Sequence, residues 1–190
     1  MEEIKLLDCT LRDGGYVNDW NFGHNNLVNI LQRLIDAKMD FVEVGFLDDR
    51  RPFDINRSIM PNTDCVEKIF GIVDKKQTMA LAMIDYGTCD IKNLRPKSQS
   101  YLDGIRVIFK KHLMHEALDY CKQVKELGYK VFAQLVSIIE EHTKALNTSK
   151  DDDGEITHWH MVFFKNLLGN MTWLLSKPNL EEIDINKYII

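Results

Sequence analysis

The chain has 190 residues and a formal net charge of −5, with 45% hydrophobic and 28% charged residues. That is length enough for one domain with a sizeable core. The charge balance argues against a nucleic-acid or anionic-membrane partner, because both require clustered Lys and Arg. The sequence then alternates between two patterns. Residues 4–9 (IKLLDC) read as a strand, and residues 25–37 carry Leu27, Val28, Leu31, Leu34 and Ile35 at helical spacing. Residues 40–47 (DFVEVGFL) are β-branched and aromatic, a second strand. A helix over 63–73 follows, with Asn62 or Thr63 as its cap. Residues 78–84 and 104–109 read as strands three and four. A helix over 112–127 ends at Gly128, which allows a left-handed turn, and residues 129–137 form strand five.

This order predicts an α/β fold of parallel strands with crossover helices. After residue 137 the pattern changes. Residues 149–155 (SKDDDGE) are a polar linker, and 159–175 are apolar and read as a helix. The expected division is therefore 1–138, a parallel βα unit, and 139–190, a divergent and mainly helical segment. The longest apolar run, 161–175, contains Lys165, Asn166 and Asn170, so no bilayer span is expected. Cys9, Cys65, Cys89 and Cys121 form no C-x-x-C pair. With an acidic start that does not read as a targeting peptide, the expectation is free thiols in a cytoplasmic protein.

The densest chemical signal is Asp8-Cys9-Thr10-Leu11-Arg12-Asp13-Gly14-Gly15, at the end of strand one. Charges at the end of a buried strand need a partner, because isolated ones are expensive there. Asp13 can ligate a divalent cation through oxygen. Arg12 can hold an enolate or carboxylate in its planar fork. Gly14-Gly15 permit a sharp turn and a close approach to a ligand. A strand-end salt bridge with a glycine turn explains the same residues equally well.

This octapeptide resembles the D-x-T-L-R-D-G signature of the metal-dependent lyase TIM barrels, which include 4-hydroxy-2-oxovalerate aldolase and hydroxymethylglutaryl-CoA lyase. The stretches 15–22 (GYVNDWNF) and 42–53 (VEVGFLDDRRPF) look most like an aldolase-like branch of that superfamily. The resemblance covers about residues 4–138. It implies that Arg12 stabilises a pyruvate enolate, that Asp13 ligates Mn or Mg, and that Glu43 on strand two belongs to the catalytic set. Alternation puts Phe41, Glu43, Gly45 and Leu47 on one face, with Gly45 leaving room beside Glu43. A buried salt bridge from Glu43 to Arg12 fits the same position. Tyr16 stands where the hydroxy-oxovalerate aldolases carry their catalytic-base His. A phenol with an ordinary pKa of about 10 is a poor base, though it can hydrogen-bond a hydroxyl.

His158-Trp159-His160 resembles the family's H-x-H, whose two imidazoles complete the metal site. Met161 follows in place of the family's Asn, and only about twenty residues separate the pair from strand five, where the family has about two further β/α units. A polar start to the apolar segment is the competing explanation. Arg106 on strand four and Gln134 on strand five are candidate substrate contacts, or ordinary packed polar residues. Alternation places Gln134 and Ser137 on opposite faces. Asp48-Asp49-Arg50-Arg51 reads as an internally paired loop, and Asp85 after strand three reads the same way.

A complete (β/α)₈ barrel takes about 250 residues. Five strands make an incomplete TIM-type barrel, which is a domain fragment, a shortened gene product, or a partial barrel completed by the chain's own C-terminal segment, by a second copy or by a partner subunit. The expected activity is metal-dependent cleavage or formation of a carbon–carbon bond in a small 2-oxo acid. The alternative is a noncatalytic shortened barrel that binds a metabolite or a partner protein.

Overall fold

The structure is a computed structural model, and it describes residues 5–136. Its strands are β1 (Leu7–Asp8), β2 (Phe41–Leu47), β3 (Ile59–Met60), β4 (Met79–Asp85), β5 (Gly104–Phe109) and β6 (Lys130–Leu135). The helices are α1 (Thr10–Asp13), α2 (Gly15–Asn18), α3 (His24–Asp36), α4 (Thr63–Phe70) and α5 (Met114–Glu126). All the pairings within the sheet are parallel, in the order β1-β2-β4-β5-β6, and β3 pairs with the end of β2. The result is a curled parallel half-barrel, an incomplete TIM-type barrel as expected. Among the described residues no helix is long and apolar enough to cross a membrane.

The helix signals act as the sequence predicts. Asn62 caps α4 by accepting the Cys65 N–H at 2.9 Å. Gly128 takes a φ of +90° where α5 turns into β6. Two differences stand out. Strand one is only two residues long, because the chain turns into α1 immediately after Cys9. The connection from β4 to β5, where the sequence gives no helix signal, holds short 3-10 turns at Ile91–Asn93 and Lys97–Gln99. β3 was not anticipated, because two residues carry no periodicity.

The most consequential correction lies in β2. Its register against β4 shifts between Glu43 and Gly45, so Val44 is an extra residue in the ladder. The bulge resets the alternation. Phe41 and Glu43 face the inside of the half-barrel, but Phe46 follows them there, and Leu47 joins the helix-side core. Nor does Gly45 leave space beside Glu43. A Cβ on Gly45 would stand 2.0 Å from the Ser58 carbonyl oxygen, so it is the approach of the 58–60 segment that requires glycine.

The two faces of the sheet are built differently. On the outside, Val42, Ala82, Ile84 and Val107 pack under Leu31 of α3, Ile69 of α4 and Val124 of α5. On the inside, Phe41, Leu81 and Phe132 form one apolar group, and Trp20, Phe46, Ile59 and Met83 form another toward the C-terminal ends of the strands. Glu43, Arg106 and Gln134 stand between them.

Candidate functional site

The inward polar residues form one hydrogen-bonded network with Glu43 at its centre. Its side chain is fully buried. One carboxylate oxygen accepts from Arg106 Nε at 2.5 Å, and the other accepts from Arg106 Nη2 at 2.7 Å and Arg12 Nε at 2.9 Å. Arg106 Nη1 donates onward to Gln134 Oε1 at 2.5 Å, and Met83 Sδ lies 3.3 Å from Arg106 Nη2. Only 11% of each arginine side chain is exposed. Thus Arg12, Glu43, Arg106 and Gln134, four of the expected site residues, converge. The possible Arg12–Glu43 salt bridge exists and is extended by a second arginine.

Burial acts most strongly on Glu43 and opposes its ionisation. The hydrogen bonds and positive charge of Arg106, joined by those of Arg12, win and hold it below the ordinary glutamate range. Arg12 shows the mirror effect. Burial disfavours its charge, yet Glu43 and then Asp13 raise its pKa further. Cys9 sits against the same pair. Burial, with the Glu43 charge added, pushes its thiol up to about 12, so it is a neutral thiol rather than a nucleophile at pH 7.

Arg12 and Asp13 occupy a helical turn, not an extended strand end. Arg12 N and Asp13 N both donate to the Cys9 carbonyl, at 3.0 and 2.7 Å. Gly14 has an ordinary helical φ of −60°. Its partner Gly15 is needed for space, since a Cβ there would stand 2.0 Å from the Trp20 ring. The Trp20 indole N–H donates to the Arg12 carbonyl at 2.9 Å, and Ser58 Oγ donates to the Leu11 carbonyl at 2.6 Å. The turn bearing Arg12 is therefore fixed from two sides. Sequence reasoning did not single out Cys9, Trp20 or Met83. The available signals were the position of Cys9 inside the octapeptide and the alternation of Leu81 with Met83.

Asp13 lies beside this network, its side chain 59% exposed, with both carboxylate oxygens on the Arg12 guanidinium. Among the described residues no three His, Cys, Asp or Glu side chains gather as a metal cage. One carboxylate, already shared with an arginine, is by itself too small a ligand set for a divalent cation. A site at Asp13 needs further ligands, and His158 and His160, the expected ones, lie outside the described residues. So does Ser137. Tyr16 is brought near the site but not into it. It is 63% exposed on α2, with its ring edge-on to Trp20 at 4.8 Å between centroids.

The acidic loop is paired internally through Asp48 and Arg50 alone, while Asp49 and Arg51 pair outside it, Arg51 with Asp19. Asp48 is buried and accepts from Arg50 Nε and Nη2, both at 2.7 Å. Asp49 accepts from Asp90 N and Asn93 Nδ2, both at 2.8 Å. Asp85 departs from the expectation of a paired loop residue. It ends β4 on the inward column of Leu81 and Met83, in register with Ile108, and burial raises its pKa while Lys110 and Arg50 lower it.

Comparison with protein-family models gives no match, and comparison with curated proteins gives none either. Among solved structures, the chain is similar to one described as "Crystal structure of the N-terminal domain of a putative aldolase from Bacteroides vulgatus", at 24% identity and a TM-score of 0.49. The match covers 87% of this chain and 59% of that one.

Proposed function

We propose that the chain is a carbon–carbon lyase of the aldolase type, acting on small 4-hydroxy-2-oxo acids. The observation that carries this reading is the buried carboxylate of Glu43, shared by Arg12 and Arg106 on the inner face of the half-barrel. Two guanidiniums locked on one buried anion keep fixed orientations, and Arg12 retains N–H groups that its partners do not use. A fixed donor array is what an enolate requires, because it stabilises the developing charge without reorganising when the charge appears. Glu43, ionised and saturated, serves to position the arginines. The resemblance of residues 8–15 to the lyase signature supports the same chemistry.

Mn or Mg belongs to this proposal through Asp13 with His158 and His160, and it requires Asp13 to release Arg12. Tyr16, at the rim, would hydrogen-bond a substrate hydroxyl. Gln134 orients Arg106. The test is release of pyruvate from 4-hydroxy-2-oxo acids by the full chain, with and without Mn²⁺. Turnover should fall at least a hundredfold in Arg12→Ala, the scale of losing an oxyanion donor. Turnover that survives Asp13→Ala would remove the metal from the proposal, and no turnover of any 2-oxo acid would remove the lyase.

A second reading is a noncatalytic half-barrel that binds a metabolite or partner. The Arg12–Asp13 ion pair favours it, because it engages both carboxylate oxygens a metal would use. Tight binding of a 2-oxo acid without turnover is its signature.

A further inference from the structure

The proposed cleavage needs a proton acceptor. Tyr16, which stands at the expected position, is exposed and turned onto Trp20. We propose that Asp85, at the inward C-terminal end of β4, is the general base of this site. It would take the proton from the 4-hydroxyl of the substrate and return it to the enolate carbon. This inference rests on the lyase reading above.

The first argument is placement. β4 pairs with β5 without a break from Leu81 to Asp85, so its alternation is intact. Ala80, Ala82 and Ile84 lie in the helix-side core, and Leu81 and Met83 lie on the inside. Asp85 therefore points inward. It stands one pleat, about 7 Å, beyond Met83, whose sulfur touches Arg106. That places a carboxylate one layer above the guanidiniums, toward the strand ends where barrel enzymes hold substrate. A small 2-oxo acid seated on Arg12 would direct its C4 hydroxyl away from the arginines, into that layer.

The second argument is elimination. Glu43 is saturated by two arginines and kept ionised. Asp13 is engaged by Arg12, Asp48 by Arg50, and Asp49 by the loop at Asp90 and Asn93. Asp8 accepts both the N–H and the hydroxyl of Thr10. Asp19 is paired with Arg57. His24 shares the stripe of Leu27, Leu31 and Ile35 on the opposite side of the sheet. Among these groups Asp85 alone is inward-facing and uncommitted. Lys110 and Arg50 are the charged groups that act on it, and burial outweighs them to raise its pKa. A raised carboxyl pKa brings a base closer to working pH, where proton transfer is more favourable.

The step balances. Asp85 removes the hydroxyl proton, and the O–H electron pair becomes the C4 carbonyl. The C3–C4 bond breaks, its pair forms the C2–C3 double bond, and the C2 oxygen becomes the enolate held by Arg12. Aldehyde leaves. C3 then takes the proton from Asp85 to become the methyl group of pyruvate, which leaves Asp85 ionised for the next turnover.

The test uses the full chain with Mn²⁺, following pyruvate release and, separately, exchange of the pyruvate methyl protons with D₂O by NMR. Asp85→Asn should lower kcat by about 10²–10⁴-fold, slow methyl exchange in parallel and lose the acidic limb of the pH profile. Asp85→Glu should restore part of the rate. Oxalate, an enolate mimic, should bind Asp85→Asn within about threefold of the parent, which separates loss of the base from loss of the fold. Asp85→Asn turning over and exchanging at the parent rate, with the acidic limb intact, would overturn the assignment and leave the lyase standing. A parent chain that neither cleaves nor exchanges would overturn both.

Discussion

The outer and inner faces of the sheet obey different rules although they alternate along the same strands. The outer face is covered by α3, α4 and α5, and in β2, β4, β5 and β6 the strand positions there are apolar. Its stability follows from area removed from water and from close packing. The inner face places a carboxylate and two guanidiniums between apolar groups and satisfies them with one another. Such pairing seldom adds net stability over a packed apolar core, since desolvation offsets the attraction. The outer face is thus the part that holds the fold, and the inner face is the part that the fold was bent to present.

That contrast has measurable consequences. The largest stability loss is expected from Glu43→Ala, at about 3–5 kcal/mol in urea denaturation at pH 7, because two guanidiniums stay buried without their acceptor. The effect has a pH signature. The folded pKa of Glu43 lies below the unfolded one, so its contribution is complete above the ordinary glutamate pKa of about 4.3 and is lost as pH falls through the folded pKa. Parent and variant should therefore converge in acid. A difference that stays constant from pH 7 to pH 3 would break the assignment of Glu43 as an ionised, doubly paired group.

On the outer face, Leu31→Ala should cost about 2–5 kcal/mol with no pH dependence, since only a cavity is created. A pH-dependent loss there would mean that the two faces are coupled. Next in size is Gly45→Ala, expected to cost about 1–3 kcal/mol, because the new methyl must displace the Ser58 carbonyl at the bulge. A neutral outcome in thermal melts would argue against the bulge itself. The smallest effect is that of Asn62→Ala, about 0.5–2 kcal/mol, which removes the cap of α4. It should leave oxalate binding at Arg12 unchanged, because α4 covers only the outer face.

What could be read in the residues follows from local physics. The helical stripe of 25–37, the apolar runs of β2, β4, β5 and β6, the Asn62 cap and the Gly128 turn each depend on neighbours within one or two turns of chain. The order of strands and helices then restricted the architecture to a parallel sheet. The octapeptide marked Arg12 and Asp13 for the same reason, as charges out of place beside a strand. Glu43, Arg106 and Gln134 were visible only as separate candidates on three strands.

Their union is tertiary. It depends on the register of β5 against β6, on the arginine at 106 reaching back across β4, and on the turn held by Trp20. The bulge at Val44 escaped prediction because a strand of seven buried residues shows no polar alternation to betray a slip. Asp85 escaped for a related reason. Its sequence neighbourhood resembles that of a paired loop aspartate, and only the unbroken pairing of β4 with β5 turns it inward. Sequence alone determined which groups were present and which elements carried them. The three-dimensional register decided which met, because a one-residue shift in a strand moves each side chain to the other face.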